Sequence, residues 1–256
     1  MINKLKSKII NKEISKYLFW KLKEFFKNPY NETKLNYYKF QLNNSDNNFQ
    51  AYVELKFKIL KIYKSDINEH LETLSTYAST VDTIFETGVR GVVSSWAFLH
   101  GLSKNNLNKK SLFLNDIESC DINEISKVAD NLNIELQYQW ENNLELKVNH
   151  NYDLVFIDTW HVYAQLKREL EKFAPISNKY IILHDTTLDG ELGETIRNGW
   201  DSKKQSEATG YSIEEIEKGL WPAVEEFLEN NINWVLEKRY TNCNGLTILR
   251  KIDILE

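Results

Sequence analysis

The segment Glu86-Thr87-Gly88-Val89-Arg90-Gly91 constrains this chain more than any other. It follows an apolar run, Val81 to Phe85, that reads as a buried strand, and it precedes Val92 to Leu102, which reads as a helix. A strand that ends in an acid and passes through glycines into a helix describes a nucleotide-cofactor loop. Glycine turns tightly and admits a ligand against the backbone. The helix start offers free N–H groups and a partial positive charge to a carboxylate or phosphate. The acid discriminates. A dinucleotide loop is built on G-x-G-x-x-G, which is absent here, and has no use for an acid two residues before its first glycine. A cofactor carrying an ammonium group does. S-adenosylmethionine combines an ammonium, a carboxylate, a ribose and an adenine. Glu86, Thr87, Gly88, Arg90, Gly91 and Ser94 are the expected contacts in this loop.

From Val81 onward, apolar runs alternate with helical patterns. The spacing predicts strands at 83–86, 111–116, 134–138, 154–158, 180–184, 233–239 and 246–250, and helices at 92–102, 122–132, 141–146 and 163–173. Such alternation gives a parallel sheet with helices on both faces. The last two strands are joined by the short polar turn Thr241 to Gly245, so they should pair antiparallel. The expected fold is α/β: a Rossmann-like, seven-stranded, mostly parallel sheet with a reversed terminal hairpin and an N-terminal helical cap. The cap is residues 1–75 and the sheet domain 76–256. In the cap, Ile10, Ile14, Leu18, Leu22 and Phe25 recur at helical spacing, 28–31 breaks that helix, and 52–63 and 67–77 supply two more.

Composition narrows the function classes. Hydrophobic residues at 42% support a real core, and a net charge of −5 argues against a nucleic-acid partner for the chain as a whole. Lys4, Lys6, Lys8, Lys12, Lys16, Lys21, Lys23 and Lys27 make the start an exception, read as the solvated face of an amphipathic helix. Cys120 and Cys243 form no disulfide framework and no C-x-x-C pair, which points to a reducing, cytoplasmic compartment. No signal peptide and no membrane span are expected.

Sites in parallel sheets lie at the carboxyl ends of the strands. Four predicted strand ends carry polar groups: Glu86, Asp116, Asp158 and His184-Asp185. Asp116 can accept two hydrogen bonds from a ribose diol, with Ile117 beside it, and Glu118 competes for that role. Gln139 and Trp140 could meet an adenine edge and face, or simply pack. Asp158, His184 and Asp185 could hold Mg²⁺, or Mn²⁺ given the nitrogen ligand. In the competing, metal-free reading His161 or His184 is a general base.

Residues from about 67 to 251 resemble class I S-adenosylmethionine-dependent methyltransferases, in the branch named after the cephalosporin hydroxylase protein that includes macrolide-sugar O-methyltransferases. The resemblance rests on Glu86-Thr87-Gly88, Asp116, Phe156-Ile157-Asp158 with His161 and Tyr163, Leu183-His184-Asp185-Thr186, Gly219-Leu220-Trp221-Pro222-Ala223-Val224 and Asn244-Gly245-Leu246. It implies that Glu86 meets the cofactor ammonium, often through water, that Gly88 lets the methionine part lie against the backbone, and that Asp116 binds the ribose. It also implies that Asp158 and Asp185 match metal ligands and that His161 sits beside the acceptor. The chain departs from the pattern where many relatives have Gly-Gly-Ser and this chain has Val92-Val93-Ser94, and where His184 replaces a glutamate.

The expected activity is O-methylation of a small hydroxylated molecule, a sugar or sugar nucleotide first, with Asp158, His161 and His184 as catalytic candidates. The cap and the segment 187–218, which has the glycines of a mobile lid, would shape the acceptor pocket. The alternatives are a metal-free N- or RNA methyltransferase and a non-catalytic cofactor-binding protein. The exposed face of the N-terminal helices offers a surface for a homo-oligomer.

Overall fold

A computed structural model describes residues 29–45, 48–106 and 109–253. The chain divides into two compact units, 1–47 and 48–256. In the first, α1 (Pro29–Asn43) begins with a proline, whose missing N–H is harmless in a first helical turn. The helix expected over Ile10 to Phe26 lies outside the described residues.

The second unit opens with α2 (Phe49–Ile62), capped by the Asn48 side chain on the Ala51 N–H at 3.0 Å. A 3₁₀ turn (Asn68–His70) leads into α3 (Leu71–Ala78). Then follow β1 (Thr83–Thr87), α4 (Val93–Lys104), β2 (Lys110–Asp116), α5 (Asn123–Asn131), β3 (Ile134–Trp140), β4 (Tyr152–Ile157) and α6 (Tyr163–Phe173). After β5 (Ser177–His184) come α7 (Glu194–Arg197), α8 (Ser202–Thr209), α9 (Ile213–Glu217) and α10 (Trp221–Asn230). The unit closes with β6 (Trp234–Tyr240) and β7 (Leu246–Lys251).

The strands form one seven-stranded sheet in the order β3-β2-β1-β4-β5-β7-β6. β1 pairs in parallel with β2 and β4, β2 with β3, and β4 with β5. β7 is antiparallel to both β5 and β6. The expected terminal hairpin therefore inserts its second strand next to β5, and β7 alone opposes the common direction.

Side chains alternate across the strands and build a core on each face. Ile84, Leu112, Leu114, Leu154, Phe156, Ile182 and Ile248 pack with residues of α2 to α5. Phe85, Val155, Ile157, Ile181, Leu183 and Leu249 pack with residues of α6 and α10. Helix α2 belongs to this body: Phe57 stacks on His100 of α4 at 3.8 Å, and His100 bridges Ser75 and Glu54 at 2.7 and 2.8 Å.

Two expectations change. Residues 141–146 form a turn, not a helix. The Asn142 side chain takes the Leu144 N–H at 3.0 Å and its carbonyl takes those of Glu145 and Leu146, both at 2.9 Å. Asn is a turn former, and six residues are too few to sustain a helix against that local bonding. The segment 187–218, for which no helix was expected, carries α7, α8 and α9 and is hydrogen-bonded within itself and to the turn before α6. Gly193 N–H reaches Glu217 O, Glu194 N–H reaches His161 O, and Tyr163 N–H reaches Lys218 O, each at 2.8 Å. Gly190 and Gly193 are packing requirements, because a Cβ on either would stand 2.8 Å from a backbone oxygen.

Candidate active site

A cleft of about 740 Å³ opens over the carboxyl ends of β1, β2 and β4. The turn after β1 forms its floor. Gly88, Arg90 and Val92 all take positive φ, at 87°, 41° and 61°. Such values are uncommon for Arg and a marked outlier for β-branched Val. Asp116 holds the turn in place. One carboxylate oxygen accepts the Val89 and Arg90 N–H groups at 2.7 and 2.8 Å, and the other accepts that of Glu118 at 2.8 Å. Asp116 lines the cleft and is also the clamp that joins β2 to the β1–α4 turn.

Glu86 is fully buried and lies beneath the lining. The Ser94 hydroxyl, which does line the cleft, donates to one Glu86 oxygen, while Oε2 has no hydrogen-bond partner. Burial pushes the Glu86 carboxyl up to about 8, against the lowering effect of Ser94. Thr87, Gly88, Arg90, Gly91 and Ile117 all line the cleft, and Arg90 pairs with Asp66 at its edge. Gln139 and Trp140 do not line it. Gln139 bonds Glu141 at 2.7 Å, and Trp140, 65% exposed, gives its indole N–H to the Ile117 carbonyl at 2.7 Å. At the end of an edge strand their side chains point to solvent.

The strand-end acids and histidines converge. His161 Nε2 stands 3.1 Å from Asp158 and 3.2 Å from Asp185, and Nδ1 stands 3.3 Å from Asp189 and 3.4 Å from Glu194. His184 Nδ1 lies 3.4 Å from Asp158 and 3.2 Å from Asp185, and its Nε2–H points to the Cys243 carbonyl at 3.3 Å. Burial opposes the charged form of both imidazoles, but Asp158 and its neighbouring carboxylates override it, pushing His161 up to about 10 and His184 up to about 11. Burial would likewise raise Asp158, yet the two imidazoles hold it well below the usual carboxylate range. Asp158, His161 and Glu194 line the cleft, whereas His184, Asp185 and Asp189 lie behind it. His184 therefore meets Asp158 from behind the cleft lining.

Asp158, His184 and Asp185 each offer a ligand atom, all within 4.8 Å of one another, as do His161, Asp185 and Asp189. Asp185 Oδ1 is buried without a partner. This donor set fits a divalent ion once the imidazoles give up their protons.

Sequence reading missed a second polar cluster. Buried Glu169 accepts hydrogen bonds at Oε1 from Asn143 and Thr159, both at 2.6 Å, and from Gln165 at 2.8 Å. Asn143 also donates to Thr87 at 3.0 Å, and Thr87 donates to Asn115 at 2.9 Å. The signal was present: Glu169 falls on the apolar face of α6 with Leu166, Leu170 and Phe173, where an acid needs buried partners. Asp189 and Glu194 lie in a stretch without periodicity and gave no such signal.

No family model matches the chain, and no curated protein matches it. Solved structures with a similar chain path do exist. A protein from Staphylococcus aureus described as a caffeoyl-CoA O-methyltransferase is 15% identical over 72% of this chain and 83% of its own, with a TM-score of 0.47. An O-methyltransferase from Bacillus cereus, in complex with S-adenosylhomocysteine, is 12% identical over 72% and 80%, with a TM-score of 0.44. A methyltransferase from Podospora anserina with the same ligand is 12% identical over 78% and 88%, with a TM-score of 0.47. These figures describe a chain path and assign no residue.

Proposed function

We propose that the protein is an S-adenosylmethionine-dependent O-methyltransferase acting on a small, hydroxylated, phosphate-free acceptor. The observation that carries this reading is the cleft. Its 740 Å³ volume lies within the range of about 300–1,000 Å³ found for small-molecule sites. A buried carboxyl with one oxygen unpartnered lies under its floor and a mixed carboxylate–imidazole cluster stands at its far wall. The cofactor supplies a methyl group already activated on a sulfonium, so the chain's part is to bind, orient and manage one proton.

Asp66, Asp116, Glu118, Glu145, Asp158 and Glu194 line the cleft, against Arg90 and His161. That excess of acids suits a ligand with an ammonium and a sulfonium. It opposes phosphate esters, because like charges about 4 Å apart cost on the order of 4 kcal/mol at an effective dielectric near 20. A free or glycosidic sugar is therefore favoured over a sugar nucleotide or a coenzyme A ester, and RNA is disfavoured for the same reason.

Orientation can supply on the order of 7–11 kcal/mol of such a barrier. Trp160 and Tyr211, stacked 6.4 Å apart at the cleft, give a flat wall for an acceptor ring. The acceptor proton goes to the His161–Asp158 pair, and it does so only when His161 is neutral. Asp158, Asp185 and His184 would hold a divalent ion, which when bound would lower the pKa of an acceptor hydroxyl and offset the carboxylate field that keeps His161 charged.

The test is calorimetric binding of S-adenosylmethionine, followed by transfer of a labelled methyl group to neutral sugars and to their phosphates. Micromolar binding lost in Glu86→Leu, with label in neutral sugars alone, is the expected result. Absence of binding by the native chain sinks the reading, and label only in the phosphates overturns the acceptor class.

A further inference from the structure

A second cavity lies behind the cleft and is far smaller, about 10 Å³. Its polar lining is Thr159, Trp160, His161, Glu169 and His184, and the rest is aliphatic. That volume is close to the about 10–15 Å³ that one water molecule requires. Three buried side-chain atoms without a hydrogen-bond partner belong to residues of this lining: Trp160 Nε1, His161 Nδ1 and Glu169 Oε2. His161 Nδ1 has carboxylates at 3.3 and 3.4 Å, but at angles that make no hydrogen bond.

Folded proteins rarely leave such atoms unsatisfied, and a buried water typically makes about three hydrogen bonds. The three are complementary to one water. An indole N–H can only donate, a carboxyl oxygen accepts, and an imidazole nitrogen completes the set. We propose that this cavity is a single-water site, and that its water couples Trp160 and His161 of the cleft wall to the buried carboxyl of Glu169.

The coupling makes Glu169 a positioning residue. Its Oε1 holds Asn143, Thr159 and Gln165, all of which line the cleft. Its Oε2 reaches Trp160 and His161 through the water. One buried side chain thus sets the turn after β3, the turn after β4 and the first part of α6. Burial raises the Glu169 carboxyl, and the hydrogen bonds from Thr159, Asn143 and Gln165 oppose that rise.

The water site stands whatever the reaction is, whereas the effect on the cleft rests on the methyltransferase reading. Two measurements separate them. A crystal structure of the full chain at about 1.5 Å should show one ordered water within about 3.2 Å of both Trp160 Nε1 and Glu169 Oε2. No density there, anomalous density of a metal, or a direct bond between the two side chains overturns the site. In Trp160→Phe, which keeps a ring and removes the donor, that water should be lost or displaced; a water held unchanged overturns the coupling. Calorimetry with S-adenosylhomocysteine then tests the positioning role. Glu169→Gln should bind within about threefold of the native protein, while Glu169→Leu, shown folded by its melting curve, should bind at least tenfold more weakly. Equal binding by the leucine variant overturns the role. If it does not fold, Gln165→Leu and Asn143→Leu, which cut single links of the network, must each weaken binding, and native affinity in both has the same force. Failure of the native chain to bind the probe counts against the proposed function, with the crystallographic result standing apart.

Discussion

Gly88 and Asp158 touch through their backbones: a Cβ on residue 88 would stand 1.8 Å from the Asp158 carbonyl oxygen. The Asp158 N–H also donates to the Thr87 carbonyl at 2.9 Å. The turn after β1 and the end of β4 are therefore one junction, and the glycine serves that junction before it serves any ligand. Gly88→Ala adds the clash to a φ of 87°. It should destabilise the fold by about 2–4 kcal/mol and abolish S-adenosylhomocysteine binding. A melting temperature within about one degree of the native value would show that the junction yields.

Glu86 links ligand binding to protons. Its carboxyl rises from an ordinary 4.5 to about 8 in the folded protein. Between those values the folded chain holds a proton that the unfolded chain has lost. The Glu86 contribution therefore makes stability fall as pH rises from about 4.5 to about 8, and it is flat above that. A cationic cofactor should drive the group to ionise. At pH 7, calorimetry in buffers of different ionisation enthalpy should record close to one proton released by the native protein and none by Glu86→Gln. Equal release by both would remove Glu86 from cofactor recognition.

Arg197 meets buried Asp189 with two nitrogens, at 2.5 and 2.9 Å, and Asp189 in turn faces His161. Arg197→Ala leaves a buried carboxylate with one partner fewer. Because the arginine is partly exposed, the cost should be about 1–3 kcal/mol rather than the full penalty of a broken buried pair. The variant should also loosen α7 over the cleft, read as faster hydrogen exchange at Glu194 to Asn198. Unchanged exchange would confine Arg197 to the surface.

A divalent ion at Asp158 and Asp185 must compete with the protons on His161 and His184. Mn²⁺ binding, followed by electron paramagnetic resonance, should weaken as the pH falls from about 8 to about 6 and vanish in Asp158→Asn. Binding that ignores this variant would place the ion elsewhere.

Trp140→Ala should leave S-adenosylhomocysteine affinity within about twofold, because the indole lies outside the cleft. A tenfold loss would mean that the ligand extends past Ile117 over the edge of the sheet.

Local pattern was enough to read the sheet. Val81 to Phe85, Phe156 to Asp158 and Tyr180 to His184 are apolar runs ended by polar residues, and hydrophobic periodicity is written in neighbouring positions. Helix α6 was legible to the residue, while 141–146 was not, because the side-chain bonding of Asn142 outweighs a weak helical pattern. The strand-end acids were legible because a parallel sheet brings its carboxyl ends to one edge. Their partners were not. That four carboxylates surround His161, that Glu86 sits beneath Ser94 and that Glu169 reaches three cleft residues depend on how distant segments pack. The period of the side chains along the chain thus carried the strands and helices α2 to α6, whereas α1 and α7 to α10 were not read from it. Which groups face the cleft, which lie behind it and in which direction their proton affinities move come from packing, since burial and pairwise distance are properties of contacts that no local pattern encodes.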